Sequence, residues 1–181
     1  TRIRRNAESF LVLADKGSPR TLSRSVSMHQ VVQAATGEIE HFDRISISDI
    51  SNVSVDGAVA TDLAHLVAEL LENATRFTST DVMTSVDGRS TDHGYLIEIV
   101  DHGQGMTPEA IAAANTRFSG GAVTADVPTG VGYEIVARLA QRHGVALRLA
   151  ATPTGGLTAQ VHVPQSALAA PSEPKMQPVY T

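Results

Sequence analysis

The strongest hydrophobic periodicity in the chain lies in Asp62–Phe77, DLAHLVAELLENATRF. Its apolar residues recur at the i, i+3, i+4, i+7 spacing of one helical face. They are Leu63, Leu66, Val67, Leu70, Leu71, Ala74 and Phe77. Glu69, Glu72, Asn73 and Arg76 follow the same spacing on a neighbouring face, and at roughly 100° per residue they span about 100° of arc. Taken alone, that stripe is typical of the solvated face of an amphipathic helix.

Four further stretches have helical propensity or helix-start signals: Thr1–Asp15, Ser27–Phe42, Ala110–Asn115 and Gly130–Arg142. Ser27 is expected to cap the second, and Thr107-Pro108 precedes the third as capping residue and first helical position. The fourth is expected to point four apolar residues inward, Val131, Ile135, Val136 and Leu139. Gly144 is expected to end it. The intervening Thr116–Thr129 is interpreted as a loop that is mobile without nucleotide.

Alternating or continuous apolar runs predict six strands: Arg44–Ile50, Val53–Val55, Val82–Val86, Tyr95–Val100, Val145–Ala151 and Leu157–Val163. Asp87–Gly94 is interpreted as a polar turn that gives one hairpin a loose tip, and Thr152–Gly156 joins the final pair. Because hairpins join most adjacent strands, the pattern favours an α+β layered sandwich over a doubly wound parallel sheet.

Composition narrows the function classes. The length of 181 residues suits one domain with short appendages, and the net charge of −5 argues against nucleic-acid binding. Without cysteine there is no disulfide framework or thiolate metal site. No apolar run approaches ~20 residues and no signal peptide is visible, so we expect a soluble chain. It starts at Thr1 within an apparent helix, which indicates a fragment of a longer protein, and Gln165–Thr181 is expected to be a disordered tail.

Three segments call for one explanation: Glu69-Leu-Leu-Glu-Asn73 with Arg76, Asp101-x-Gly103-x-Gly105 at a strand end, and Gly130-x-Gly132 at a helix N-terminus. Glycines let a backbone approach a ligand, and a helix N-terminus offers free N–H groups to phosphate. An amide oxygen suits Mg²⁺, and a carboxylate can accept from the amino group of a base. Together they predict a magnesium nucleotide site, although neither a P-loop nor a Rossmann fingerprint is present.

These motifs resemble a known family. LVAELLENATRF is similar to the N box, DHGQGM to the first glycine box and TGVGYEIVARLAQRHG to the second, in the ATP-binding catalytic domain of bacterial sensor histidine kinases. GGLTAQVHVP resembles the closing strand pair. That domain has the Bergerat fold shared with gyrase and Hsp90, a two-layer sandwich with helices on one face of a mixed, mostly antiparallel sheet. The sequence HLVAELLENATRF, together with the leading RRNAESFLVLAD, is most similar to the nitrate-sensor-like kinases of actinobacteria. The resemblance covers about Arg2–Pro164.

The resemblance divides the chain into the end of a dimerisation helix (1–18), the catalytic domain (19–164) and the tail (165–181). At the phosphate end, it implies that Asn73 binds Mg²⁺, Arg76 touches phosphate and the Gly130–Gly132 segment, Val131 included, binds phosphates. Glu69 occupies the place of the general base in the ATPase branch, a place that is variable in kinases.

At the base end, the resemblance puts Phe77 beside adenine, makes Asp101 the acceptor from its amino group and puts Thr158 behind Asp101. The remaining pocket residues that it implies are Gly103, Gly105 and Met106. Phe118 resembles the aromatic residue of the lid. One departure is Gly130-Val131-Gly132-Tyr133, where Gly-Leu-Gly-Leu is usual.

The function implied is a Mg-ATP-dependent histidine kinase that donates the γ-phosphate to a His outside this chain. Its partners would be ATP, the phosphoacceptor domain and a response regulator, in a homodimeric full-length protein located in the cytoplasm. None of the seven His has the acidic follower of a phosphoacceptor, so we expect no autophosphorylation. His65 is interpreted as structural and His102 as a bystander. Two alternatives stay open: an ATP-binding pseudokinase or anti-sigma-like module, and an ATPase with Glu69 as base.

Overall fold

The structure is a computed structural model that describes residues 25–120 and 131–170. Its helices are α1 Met28–Glu38, α2 Gly57–Arg76, α3 Pro108–Phe118 and α4 Val131–His143. Its strands are β1 Ser25–Ser27, β2 Ile45–Ile50, β3 Ser54–Asp56, β4 Thr84–Thr91, β5 Gly94–Val100, β6 Ala146–Ala151 and β7 Leu157–Pro164. The helix expected over Thr1–Asp15, most of the expected mobile loop and the end of the expected tail lie outside the described residues.

Five strands form the main sheet in the order β2-β4-β5-β7-β6. The pair β2/β4 is parallel, and the other neighbours are antiparallel. In front of this sheet, α2 packs between α1 and α4, while α3 packs against β6. The predicted α+β two-layer sandwich is confirmed. Strands β1 and β3 pair separately at the start of α2.

The core is built on the apolar face of α2. Leu63, Leu66 and Leu71 are almost fully buried, and they meet β-sheet residues such as Ile97 and Ile99 in one hydrophobic cluster. Truncating one such leucine to alanine typically costs about 2–5 kcal/mol, so this face anchors α2 firmly. The polar stripe on the neighbouring face is thereby held in a fixed direction.

Two predicted helix starts, at Ser27 and Thr107, are confirmed by their caps, whereas α2 begins at Gly57, before the predicted stretch. Ser27 and Gln30 form a reciprocal capping box, Asp56 accepts from the Ala58 N–H, and Thr107 accepts from the Ala110 N–H. The predicted end of α1 was wrong, because the helix stops at Glu38 and the next residue turns into extended backbone. Phe42, expected on the apolar face, is instead 62% exposed in a short 3₁₀ turn.

The expected loose hairpin tip was also wrong. Strand β4 continues to Thr91, and its tight turn to β5 falls at Asp92-His93. Asp87, Arg89 and Thr91 alternate onto the solvent-facing side of the sheet, where Arg89 Nη1 donates to Glu98 Oε1 at 2.8 Å. Gly88 is required there because a Cβ would press into the Tyr95 ring.

Other boundaries moved by a few residues. Helix α3 extends to Phe118, so the residues expected to open a loop complete its last turn. Ile135, expected inward on α4, is 44% exposed, whereas Val136 is fully buried. The expected tail is structured at its start, where Leu168 bridges to Val55 next to β1 and β3.

Candidate nucleotide-binding site

A cleft of about 160 Å³ opens between the C-terminal half of α2, the end of β5, α4 and the β6–β7 hairpin. Its apolar walls come from Leu70, Ala74, Ile99, Met106, Leu149, Leu157 and Ala159. A cavity of about 150 Å³ with similar walls accepts a benzene ring, so this space suits a flat heteroaromatic group. The predicted site residues that line it are Asn73, Arg76, Phe77, Asp101, Gly105 and Met106.

Asp101 is the polar group at the bottom of this cleft. It follows β5 directly and is only 6% exposed. Its Oδ1 accepts two backbone hydrogen bonds, from Gly103 N at 2.9 Å and Leu157 N at 3.1 Å. In the part of the chain that the structure describes, Oδ2 makes no hydrogen bond. Since one oxygen is held by the backbone, the other is left as an acceptor for a ligand.

Two glycines bring the Asp101 loop against its neighbours. At Gly103 a Cβ would collide with the Phe77 carbonyl, the same carbonyl that accepts from Gln104 N at 3.2 Å. Gly105 has a positive φ of 70°, which most side chains disfavour, and it lines the cleft. The first glycine box therefore joins the base pocket to the C-terminal end of α2.

Two residues behind Asp101 were missed by the sequence analysis. A Cβ at Gly156 would collide with the Asp101 backbone carbonyl, and Thr152 Oγ1 donates to that carbonyl at 3.3 Å. Thr158 reaches Asp101 only through Thr152, with which it shares a hydrogen bond of 3.0 Å between hydroxyls. On β7 the flanking Leu157 and Ala159 line the cleft instead of Thr158. The only sequence signal was the Gly155-Gly156 pair, which we had interpreted as a turn.

At the phosphate end, Asn73 and Arg76 lie in the last turn of α2 and line the rim of the cleft. Phe77, expected at the apolar border of the helix, is its C-cap residue and is 56% exposed at the cleft mouth. Glu69 and Glu72 are half-buried on the same helix, outside the cleft lining. The polar stripe of α2 therefore begins at Glu69, outside the cleft, and ends at Arg76 on the cleft rim.

Arg44 holds the end of α2, a role that no motif in the sequence indicates. Its guanidinium is buried and donates to three backbone carbonyls, those of Thr75 at 3.0 Å and of Thr78 and Ser79 at 2.7 Å. A cation at a helix C-terminus is favoured by the helix dipole. Arg44 therefore secures the backbone on both sides of Phe77.

No group of three or more His, Asp or Glu residues in the described ranges could enclose a metal ion. Mg²⁺ usually takes only one or two protein oxygens and completes its shell with phosphates and water. Asn73 is the residue that would hold it, and the metal would neutralise phosphate charge there. This role of Asn73 stays a prediction.

Tyr133 enters the cleft from the first turn of α4, where the resemblance showed a departure from the usual leucine. Its ring meets Phe118 edge-to-face, with centroids 5.6 Å apart. Phe118, expected in the lid, is therefore a buried residue at the end of α3. Gly130 lies outside the described residues, and the phosphate-binding roles of the Gly130–Gly132 segment stay predictions.

The two histidines singled out by sequence lie away from the base pocket. His65 Nδ1 is 2.9 Å from Glu38 Oε2, which ties α2 to the end of α1. Burial raises the pKa of Glu38, an effect that the His65 hydrogen bond opposes and the charge of Glu69 reinforces. His102 is exposed and contacts the Thr154 hydroxyl at 3.2 Å, outside the cleft.

The family model described as "Histidine kinase-, DNA gyrase B-, and HSP90-like ATPase" matches residues 58–167, more than half of the chain. The chain belongs to this family. Its recognition as the ATP-binding catalytic domain of a sensor histidine kinase is confirmed, while the narrower actinobacterial, nitrate-sensor-like assignment stays a prediction. The matched range contains the N box, the first glycine box and the second.

Two sensor proteins named QseC are among its relatives. That of Escherichia coli O157:H7 is 29% identical over 157 residues, covering 78% of this chain and 34% of the relative. That of Salmonella typhi is 28% identical over 144 residues, covering 75% and 30%. The chain therefore spans about a third of the length of these relatives.

Solved structures show the same fold. The mycobacterial sensor histidine kinase MprB has a TM-score of 0.62 at 22% identity, with 79% of this chain and 97% of that chain covered. The histidine kinase domain of the Erythrobacter litoralis EL346 blue-light-activated kinase has a TM-score of 0.65 at 20% identity, with coverages of 91% and 74%. No helix in the described ranges is long and apolar enough to cross a bilayer.

Proposed function

We propose that the chain binds Mg-ATP and donates the γ-phosphate to a histidine on another domain of a two-component sensor kinase. The observation that carries this proposal is Asp101, a buried carboxylate in the cleft lining with one oxygen held by the backbone and the other without a hydrogen bond from any described residue. An acceptor in such surroundings favours a flat ring that presents an amino group. Adenine meets this requirement.

The position of the phosphates follows from the direction of α2. With adenine against Asp101, its triphosphate would extend along the rim toward Asn73 and Arg76. The guanidinium of Arg76 is exposed and free to approach phosphate oxygens, to which arginine offers two parallel donors. Asn73 would supply an amide oxygen to Mg²⁺. In the transfer itself, the bond between the γ-phosphorus and the β–γ bridging oxygen breaks, and a bond to the histidine nitrogen forms.

The partners follow from this chemistry. The phosphoacceptor histidine would lie in a dimerisation domain of the full-length protein, which would act as a homodimer in the cytoplasm. A response regulator would then receive the phosphoryl group. The absence of an acidic follower at each of the seven histidines supports an acceptor outside this chain.

Binding is tested first. Calorimetry should detect ATP and ADP with the native protein, and Mg²⁺ should tighten ATP binding. Asn73→Ala should remove the Mg²⁺-dependent increment, whereas Asn115→Ala, which removes an amide bonded to the backbone of Leu149, should keep it. No detectable binding of any adenine nucleotide would reject the proposal.

Phosphotransfer is tested separately. Incubation with γ-labelled ATP should leave this chain unlabelled, and a longer protein that also contains the proposed phosphoacceptor domain should become labelled. Label on a histidine of this chain would contradict the proposed acceptor. Nucleotide binding without labelling of the longer protein would support the ATP-binding regulatory module instead.

A further inference from the structure

Tyr133 has a buried hydroxyl with an unusually weak partner. The residue is 8% exposed and lines the cleft together with Asp101 and Met106. In the described residues its hydroxyl donates only to Met106 Sδ, at 3.8 Å. A thioether is a poor acceptor, and buried tyrosine hydroxyls usually find a stronger one. The group is therefore available to a ligand that enters the cleft.

The position of this hydroxyl is set before a ligand arrives. The Tyr133 and Phe118 rings meet at 90°, a favourable aromatic arrangement. Beside them, Arg117 Nη1 donates to Glu134 Oε1 at 2.6 Å and joins α3 to α4. Burial, and then the charge of Asp101, raise the pKa of Tyr133, so the hydroxyl keeps its proton at neutral pH. It acts as a fixed donor.

We propose that Tyr133 is a second base-reading residue, whose hydroxyl donates to a ring nitrogen of adenine while Asp101 accepts from the amino group. This inference rests on the proposed function. Adenine presents its amino donor beside ring-nitrogen acceptors. Asp101 and Tyr133, which both line the cleft, offer an acceptor and a donor that match this pattern. The weak bond to sulfur would be exchanged for a stronger one to nitrogen.

The test combines removal of the Tyr133 hydroxyl with removal of one ring nitrogen of adenine and compares the affinities. Dissociation constants for ATP, 1-deaza-ATP and 7-deaza-ATP are measured with the native protein and with Tyr133→Phe. A net hydrogen bond typically contributes a factor of about three to ten, so Tyr133→Phe should weaken ATP by that factor. The native protein should lose a similar factor with one of the two analogues. Tyr133→Phe should lose almost nothing further with that analogue.

Tyr95→Phe is the matched control. Tyr95 is also buried, and its hydroxyl donates to the Ser51 carbonyl at 3.0 Å, but Tyr95 does not line the cleft. This variant should be less stable while keeping the native response to both analogues. Tyr133→Leu, which restores the usual residue of the resemblance, should behave like Tyr133→Phe toward the analogues.

Two outcomes would overturn the inference. One is unchanged ATP affinity in Tyr133→Phe. Another is a full penalty for both analogues in that variant, since the hydroxyl would then read neither nitrogen. If ATP binds natively but these results appear, only the role of Tyr133 fails. If the native protein binds no adenine nucleotide, the proposed function fails with it.

Discussion

Replacing Asp101 with asparagine should reverse the polarity of the base pocket without changing its shape. Asp101 Oδ1 accepts from Gly103 N and Leu157 N at 2.9 and 3.1 Å. Asparagine has a single acceptor oxygen, and these two donors would hold it in the place of Oδ1. The amide NH₂ would then point into the cleft, where Oδ2 stands in the native protein.

The orientation of that amide can be estimated. Turning it over would place NH₂ against two backbone donors and lose two hydrogen bonds of about 1 kcal/mol each. A difference of about 2 kcal/mol corresponds to about a 30-fold preference for the expected orientation. A donor facing the cleft opposes the amino group of adenine and matches the carbonyl oxygen of guanine.

The expected change in the ATP/GTP affinity ratio follows from the same hydrogen-bond energies. In the native protein, ATP should bind at least ~30-fold tighter than GTP, because guanine would put an oxygen against the buried Oδ2. In Asp101→Asn the ATP/GTP affinity ratio should fall by at least ~30-fold, with ATP weakened and GTP strengthened. Calorimetry with both nucleotides at constant Mg²⁺ measures the ratio directly.

Asp87→Asn supplies the control, because it makes the same chemical change on the outer face of the sheet, away from the cleft. It should leave the ratio at the native value. Near-ultraviolet and far-ultraviolet circular dichroism spectra that match those of the native protein would show that both variants are folded. A ratio in Asp101→Asn within threefold of the native one would refute the assignment of Asp101 to the adenine amino group.

Three further outcomes are expected. Glu69→Gln should leave a slow basal ATPase almost unchanged and impair transfer in the longer protein; a fast basal rate that falls ~10²–10⁴-fold would favour the ATPase alternative. Arg44→Met should lower the free energy of unfolding by about 2–4 kcal/mol in urea titrations. The exposed control Arg89→Met should lower it by less than about 1 kcal/mol. Equal losses would contradict the role of Arg44 in holding the end of α2. Burial tends to raise the pKa of Asp62, but hydrogen bonds, first from His143, bring it below the ordinary value of 3.8. The Asp62 carboxylate therefore stabilises the fold above pH 3.8, and this stabilisation is lost as the pH falls through the lower folded pKa. Asp62→Asn should make the free energy of unfolding less dependent on pH in that acid range.

Local signals in the sequence predicted the framework well, because they depend on neighbouring residues. Ser27 and Thr107 cap helices through hydrogen bonds that span only three positions. The predictions that failed depend on distant contacts. The residues after Asp87 are polar because one sheet face meets solvent, and Leu168 pairs with a strand more than a hundred residues earlier.

The residues of the candidate site likewise divide into those with a local sequence signal and those whose role depends on distant contacts. Asn73, Arg76, Phe77 and Asp101 could be named from motifs, and the structure brings them around one cleft. Tyr133 could be seen only as a departure from a motif, since its neighbours in the cleft come from other elements. Apolar wall residues such as Leu149 have no distinguishing sequence feature, because any buried strand contains such residues.

The two ends of the proposed nucleotide site are joined through one short piece of backbone. Arg44 holds the carbonyls on either side of Phe77, and Gln104 N donates to the carbonyl of Phe77 itself. Gly103, which binds Asp101 Oδ1, packs against that same carbonyl. The loop that would contact the base and the helix that would hold metal and phosphate are thus joined at the Phe77 carbonyl. A shift at the end of α2 would displace the Asp101 loop as well. The three hydrogen bonds from the buried Arg44 guanidinium to backbone carbonyls oppose such a shift.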